Sequence, residues 1–98
     1  MKRVLAFTPR ASGDIEDAYR WYEAEQPGLG AEFRDELWRV LELVVTAPEM
    51  APMVHRDLRR VLTKRFPYAL YYRVADGAIE VRACLHQRRH PRVGSRRA

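Results

Sequence analysis

Residues 68–86 read YALYYRVADGAIEVRACLH, and this stretch decides the fold. Asp76-Gly77 is a two-residue hairpin signal between two strands. Before it, Tyr68 to Val74 is dense in aromatic and β-branched residues that favour a pleated, half-buried surface. After it, Ala78 to His86 alternates, with Ile79, Val81, Ala83 and Leu85 on one side and Glu80, Arg82, Cys84 and His86 on the other. Such alternation predicts an antiparallel pair with one face on a core and the other on something polar. Tyr68 and Tyr72 fall together and are expected as core aromatics.

Upstream, Asp57 to Phe66 is also strand-like, but its alternation is only partial and leaves its inward face open. Pro67 marks a turn or an edge. Pro48 and Pro52 end whatever precedes them and hold a short extended connector. From Ala31 to Ala47 the residues Phe33, Leu37, Val40, Leu41 and Val44 repeat on one helical stripe. Trp38 and Val45 lie off that stripe as a smaller apolar seam, expected to be covered from within the fold and otherwise open to a partner. Ala11 to Glu25 places Ile15, Ala18, Tyr19 and Tyr22 on one helix face, with Thr8 as cap and Pro9 at the first position. Pro27-Gly28-Leu29-Gly30 breaks the two helices apart. Arg3 to Phe7 is a short strand. The order β-α-α-β-β-β predicts an α+β fold, a helical hairpin packed on one face of a small, mainly antiparallel twisted sheet. Residues 1–92 are expected as one domain and 93–98 as a basic tail.

The chain has 98 residues, 47% of them hydrophobic and 32% charged, which excludes a disordered class. No apolar run approaches the roughly 18–20 residues needed to cross a bilayer, and the basic N-terminus has too short an apolar stretch for a signal peptide. One cysteine, Cys84, forms no internal disulfide, so the cytoplasm is the expected compartment. Charge is split: residues 1–48 hold six Lys/Arg against nine Asp/Glu, whereas residues 49–98 hold twelve against four. The second half is thus the expected face for a polyanion or an acidic protein.

That basic constellation comprises Arg59, Arg60, Lys64, Arg65, Arg73, Arg82, Arg88 and Arg89. Alternation puts Arg82 and His86 together on the face away from the helices, where cations could stabilise charge developing at a phosphodiester and His86 could carry a proton. The same residues also suit a solvated face whose Arg stems cover tyrosines. Cys84 and His86, two apart on one strand, make a poor nucleophile–base pair, and Cys84 reads better as a small buried filler. No metal-ligand spacing, phosphate-binding glycine loop or nucleophile elbow is present, so no cofactor or small-molecule substrate is expected.

Several blocks together resemble the ParE/RelE toxin superfamily, the toxic halves of bacterial type II toxin–antitoxin modules. Asp14-Ile15-x-x-Ala18-x-x-Trp21-Tyr22 is similar to its first helix, and Gly28-Leu29-Gly30-x-x-Phe33 to the turn into its second. Arg59-Arg60 with Arg65-Phe66-Pro67-Tyr68-x-Leu70-x-Tyr72 resembles its central hairpin, and His86-x-x-Arg89-x-Pro91 its last strand and exit. The likeness runs over residues 3–92. It implies a toxin neutralised by a cognate antitoxin whose segment covers the basic face and the seam, through Trp38, Val45, Arg73 and Arg82. It implies two kinds of target. ParE-like members poison DNA gyrase. RelE-like members cut messenger RNA on the ribosome, which here would use Arg60, Arg82 and Arg89 on phosphate and His86 for protons. Residues 46–56 hold no lysine and the chain ends Arg96-Arg97-Ala98, which leans to the ParE side. A non-toxic relative that only binds antitoxin is the third expectation.

Overall fold

The computed structural model describes residues 4–88. Its elements are β1 (Val4–Phe7), α1 (Pro9–Glu25), α2 (Leu29–Thr46), β2 (Met53–His55), β3 (Leu58–Leu62), β4 (Tyr68–Ala75) and β5 (Ala78–His86). They form the expected α+β architecture, with one difference. The connector after α2 contributes a short edge strand, β2, so four strands follow the helices, and the strand expected over residues 57–66 is confined to Leu58–Leu62. The sheet order is β1-β5-β4-β3-β2, antiparallel throughout except for the parallel β1–β5 pair. The expected basic tail at 93–98 and the domain limit at 92 lie outside the described residues.

Capping explains where the helices start. Thr8 accepts a hydrogen bond from the Ala11 N–H at 3.1 Å, with Pro9 at the first helical position. Its hydroxyl also donates to the Arg82 carbonyl at 3.2 Å, and its N–H to the Val81 carbonyl at 3.0 Å, which ties the start of α1 to β5. Gly28 enters α2 at φ 91°, a left-handed conformation that a Cβ disfavours. The α2 N-terminus has no cap of its own; Glu23 supplies one from α1, accepting from the N–H groups of Gly28 (2.8 Å) and Gly30 (3.0 Å).

The two helices meet so closely at Gly30 that a Cβ there would lie 2.8 Å from the Tyr19 carbonyl oxygen and 2.7 Å from its ring. Because one of those atoms is backbone, the clash cannot be relieved by a rotamer change. Gly30→Ala is therefore expected to lower stability by about 1–3 kcal/mol, the usual range for overpacking. A urea titration that moves its midpoint by less than the experimental error would contradict the close approach.

The core lies between helices and sheet. Phe33 is 0% exposed, its ring centroid 5.6 Å from Tyr22, 5.7 Å from Phe66 and 5.2 Å from Tyr68. Tyr72, also fully buried, donates its hydroxyl to the Pro48 carbonyl at 2.7 Å, which anchors the connector after α2.

Candidate functional site

One extra residue in β5 decides which side chains share a face. The β4–β5 register runs Tyr68↔His86, Leu70↔Cys84 and Tyr71↔Ala83, then jumps to Tyr72↔Val81, so Arg82 is a β-bulge. Before the bulge, Ile79 and Val81 point into the core as expected. After it, Cys84 and His86 take the core side, while Ala83 and Leu85 turn outward. The clean alternation expected for this strand is therefore wrong beyond Val81. The expectation that Arg82 and His86 share the outer face fails with it.

His86 packs edge-on to Tyr68, ring centroids 5.1 Å apart, and its Nδ1 accepts the Arg88 N–H at 3.0 Å. A nitrogen used as an acceptor in this way is not free to take a substrate proton. The Cys84 N–H lies beyond the end of β1, whose pairing with β5 stops at Phe7↔Val81, and Asp14 of α1 accepts it at 3.0 Å. Burial raises the Asp14 carboxyl above the usual range despite that bond and the nearby Arg10. Burial likewise pushes the Cys84 thiol up to about 12, so no thiolate nucleophile exists near neutrality. Cys84 is the buried filler.

The basic constellation divides by partner. Arg59 is structural, its guanidinium donating to the carbonyls of Ala51 (2.6 Å) and Glu49 (3.3 Å). Arg65 pairs with Glu32 at 2.6 Å and lies over the Phe66 ring. Arg73 is held between Asp57 (3.0 Å) and Glu80 (3.1 Å), and Arg82 reaches the same Glu80 at 3.4 Å. The Arg73 hydrogen bond lowers the Asp57 carboxyl below the ordinary range. Among the described residues, Arg60, Lys64 and Arg88 make no ion pair and remain exposed. Arg89 lies outside the described residues. So Arg60 and Arg82 do share the outer face with Arg73. His86 stands on the core side of β5 and reaches only the end of the cavity that Arg60 lines, and the patch expected from sequence is partly neutralised.

Two surfaces remain. On the outer sheet face a cavity of about 310 Å³ is lined by Arg60, Leu62, Ala69, Tyr71 and Leu85, with His86 and Gln87 at its end. On the helix side, Trp38 is 50% exposed, touching Phe7 edge-on at 6.1 Å. It separates two cavities, one of about 480 Å³ with Leu5, Leu41 and Val45, the other of about 310 Å³ with Phe7, Ile15 and Leu37. The seam expected to be covered from within is thus open. Sequence periodicity found Trp38 and Val45 but missed Leu5 and Phe7, which join them only because β1 is an edge strand. Among the described residues no cluster of three or more His, Cys, Asp or Glu is placed to hold a metal, and no helix is long and apolar enough to cross a membrane.

Comparison with known proteins gives consistent findings. A family model described as the ParE toxin of type II toxin-antitoxin system, parDE, matches residues 5–91. No curated protein matches. Among solved structures, the chromosomal ParDE toxin–antitoxin system from P. aeruginosa superposes with a TM-score of 0.76 at 16% identity, covering 87% of this chain and 96% of that one. The intact E. coli RelBE toxin–antitoxin complex gives 0.65 at 22% identity, covering 89% and 99%. The isolated E. coli RelE toxin gives 0.64 at 20% identity, covering 96% and 94%. At these identities the structural likenesses establish the shared fold.

Proposed function

The chain belongs to the ParE toxin family of type II toxin–antitoxin systems, and from that footing we propose that it acts in the cytoplasm by inhibiting DNA gyrase through protein–protein contact. The observation that carries this reading is that the β5 bulge parts His86 from Arg82, which pairs with Glu80, while the His86 Nδ1 already accepts the Arg88 N–H at the end of the cavity it shares with Arg60. A metal-independent ribonuclease needs a proton carrier beside its cations, within about 3 Å of the reacting groups. A contact inhibitor needs only an accessible cationic surface, and Arg60, Lys64 and Arg88 supply one. Arg73 and Arg82 add the partly paired cations beside Asp57 and Glu80.

The cognate antitoxin docks, on this reading, in the apolar groove at Trp38 and Val45. An amphipathic segment would bury the indole and fill the cavities on either side of it, the usual way a groove takes a helix. Arg73 and Arg82 lie on the opposite face of the sheet, so antitoxin contact with them requires a chain that wraps the toxin's edge.

The test is induction of the toxin alone, with growth, gyrase supercoiling and messenger integrity followed together. His86→Ala is expected to arrest growth and inhibit supercoiling within about twofold of the wild type, because the imidazole is outside the contact surface. Messages cut in the wild type and spared in His86→Ala would replace gyrase with the ribosome as target. No growth arrest at all would leave antitoxin binding as the protein's role.

A further inference from the structure

The edge of the sheet is incompletely covered at β3. Arg60 donates its N–H outward to the Pro52 carbonyl at 3.1 Å, while Thr63 donates inward to the Tyr68 carbonyl at 2.9 Å. By strand parity the N–H and C=O of Leu62 face outward like those of Arg60. However, β2 pairs only with Leu58 and Arg59, and Pro52 reaches no farther than Arg60. Among the described residues Leu62 therefore presents an open backbone edge, and its side chain is 49% exposed. A cavity of about 280 Å³ lies along that edge, lined by Met50, Pro52, Val61 and Leu62. Open edges with a flanking apolar pocket are strand-addition sites, where main-chain bonds give affinity and the pocket selects a side chain.

Charge selects the occupant. Arg60 and Lys64 flank Leu62 on either side, and neither forms an ion pair among the described residues. Two copies of this edge would set those cations against each other, which disfavours self-pairing. We propose that the β3 edge at Leu62 takes an extended, acidic segment of the target protein as an added strand, with an apolar side chain of that segment in the Met50–Leu62 cavity. This site rests on the gyrase reading and specifies where that contact is made. It lies at the β2 end of the sheet, away from the Trp38 groove at β1.

Full-length toxin carrying Leu62→Pro tests it against the gyrase holoenzyme in a supercoiling assay. Proline removes the outward N–H together with the Leu62 wall of the cavity, while the inward-facing bonds of Val61 and Thr63 to β4 are kept. A second variant, Arg60→Glu with Lys64→Glu, reverses the flanking charge at exposed positions and guards against misfolding of the first. Each is expected to raise the half-inhibitory concentration about tenfold or more, with antitoxin binding unchanged. Wild-type inhibition in both variants overturns the site, as does loss of antitoxin binding alone or a change confined to self-association. A wild-type toxin without effect on gyrase overturns the target reading itself and removes this occupant with it.

Discussion

Phe33→Ala is expected to destabilise the protein by about 3–5 kcal/mol, the range for deleting a buried aromatic ring whose neighbours cannot collapse into the space. Phe33 has no exposed surface, and its ring touches Tyr22 of α1, Phe66 of the β3–β4 turn and Tyr68 of β4. Phe66 and Tyr68 are fixed by further bonds. Thr63, itself buried, bonds the Phe66 and Tyr68 carbonyls through its hydroxyl and accepts from the Tyr68 N–H. Glu36 accepts from the N–H groups of Lys64 (2.5 Å) and Arg65 (2.8 Å), which pins the same turn to α2. The cavity therefore stays open. Against a total stability of about 5–15 kcal/mol for a domain of this kind, the loss is a large fraction of the whole. Urea denaturation followed by tryptophan fluorescence measures it. A loss below about 1 kcal/mol would mean that this ring cluster is not what joins the helices to the sheet.

Trp38→Asp is expected to behave in the opposite way, leaving stability within about 1 kcal/mol of the wild type while weakening antitoxin binding by about thirtyfold or more. The indole is half exposed in the free toxin, so its removal costs little in folding. In the proposed complex it is the anchor between two cavities, and a buried tryptophan at an interface centre typically contributes about 2 kcal/mol or more. Leu43→Asp is the control, since Leu43 is 55% exposed on the same helix and lines neither cavity. Calorimetric titration with the cognate antitoxin should separate the two variants. Equal affinities for both would remove the groove from the antitoxin interface.

Much of the fold was legible because its signals are local. Thr8-Pro9 starts α1 as read, Asp76-Gly77 turns the hairpin, and the stripe from Phe33 to Val44 faces the core. The short strand β2 was not legible, since all three of its residues are exposed and nothing in Met53–His55 alternates with a core. It forms because the Arg59 guanidinium holds the Glu49 and Ala51 carbonyls and Arg60 holds that of Pro52. The Glu23 cap on α2 was missed for the same reason: a carboxylate reaches across a turn that only the folded helical hairpin closes.

The candidate site was legible in its residue types and less so in its arrangement. Composition alone put the cations in the second half of the chain, and periodicity alone put Trp38 off the core stripe. Which cations stay unpaired depended on acids distant in sequence or across a strand pair: Glu32 for Arg65, Asp57 for Arg73, Glu80 for Arg73 and Arg82. Side-chain alternation has a period of two, so the single extra residue at Arg82 reversed the side on which every later residue of β5 lies. The sequence by itself determined the elements, their order and the sign of the charge, because propensity, capping and hydrophobic period act within a few residues. The tertiary structure alone decided that His86 faces Tyr68 and that Leu62 stands on an open edge, because register and ion pairing are set between strands and helices that meet only in the folded chain.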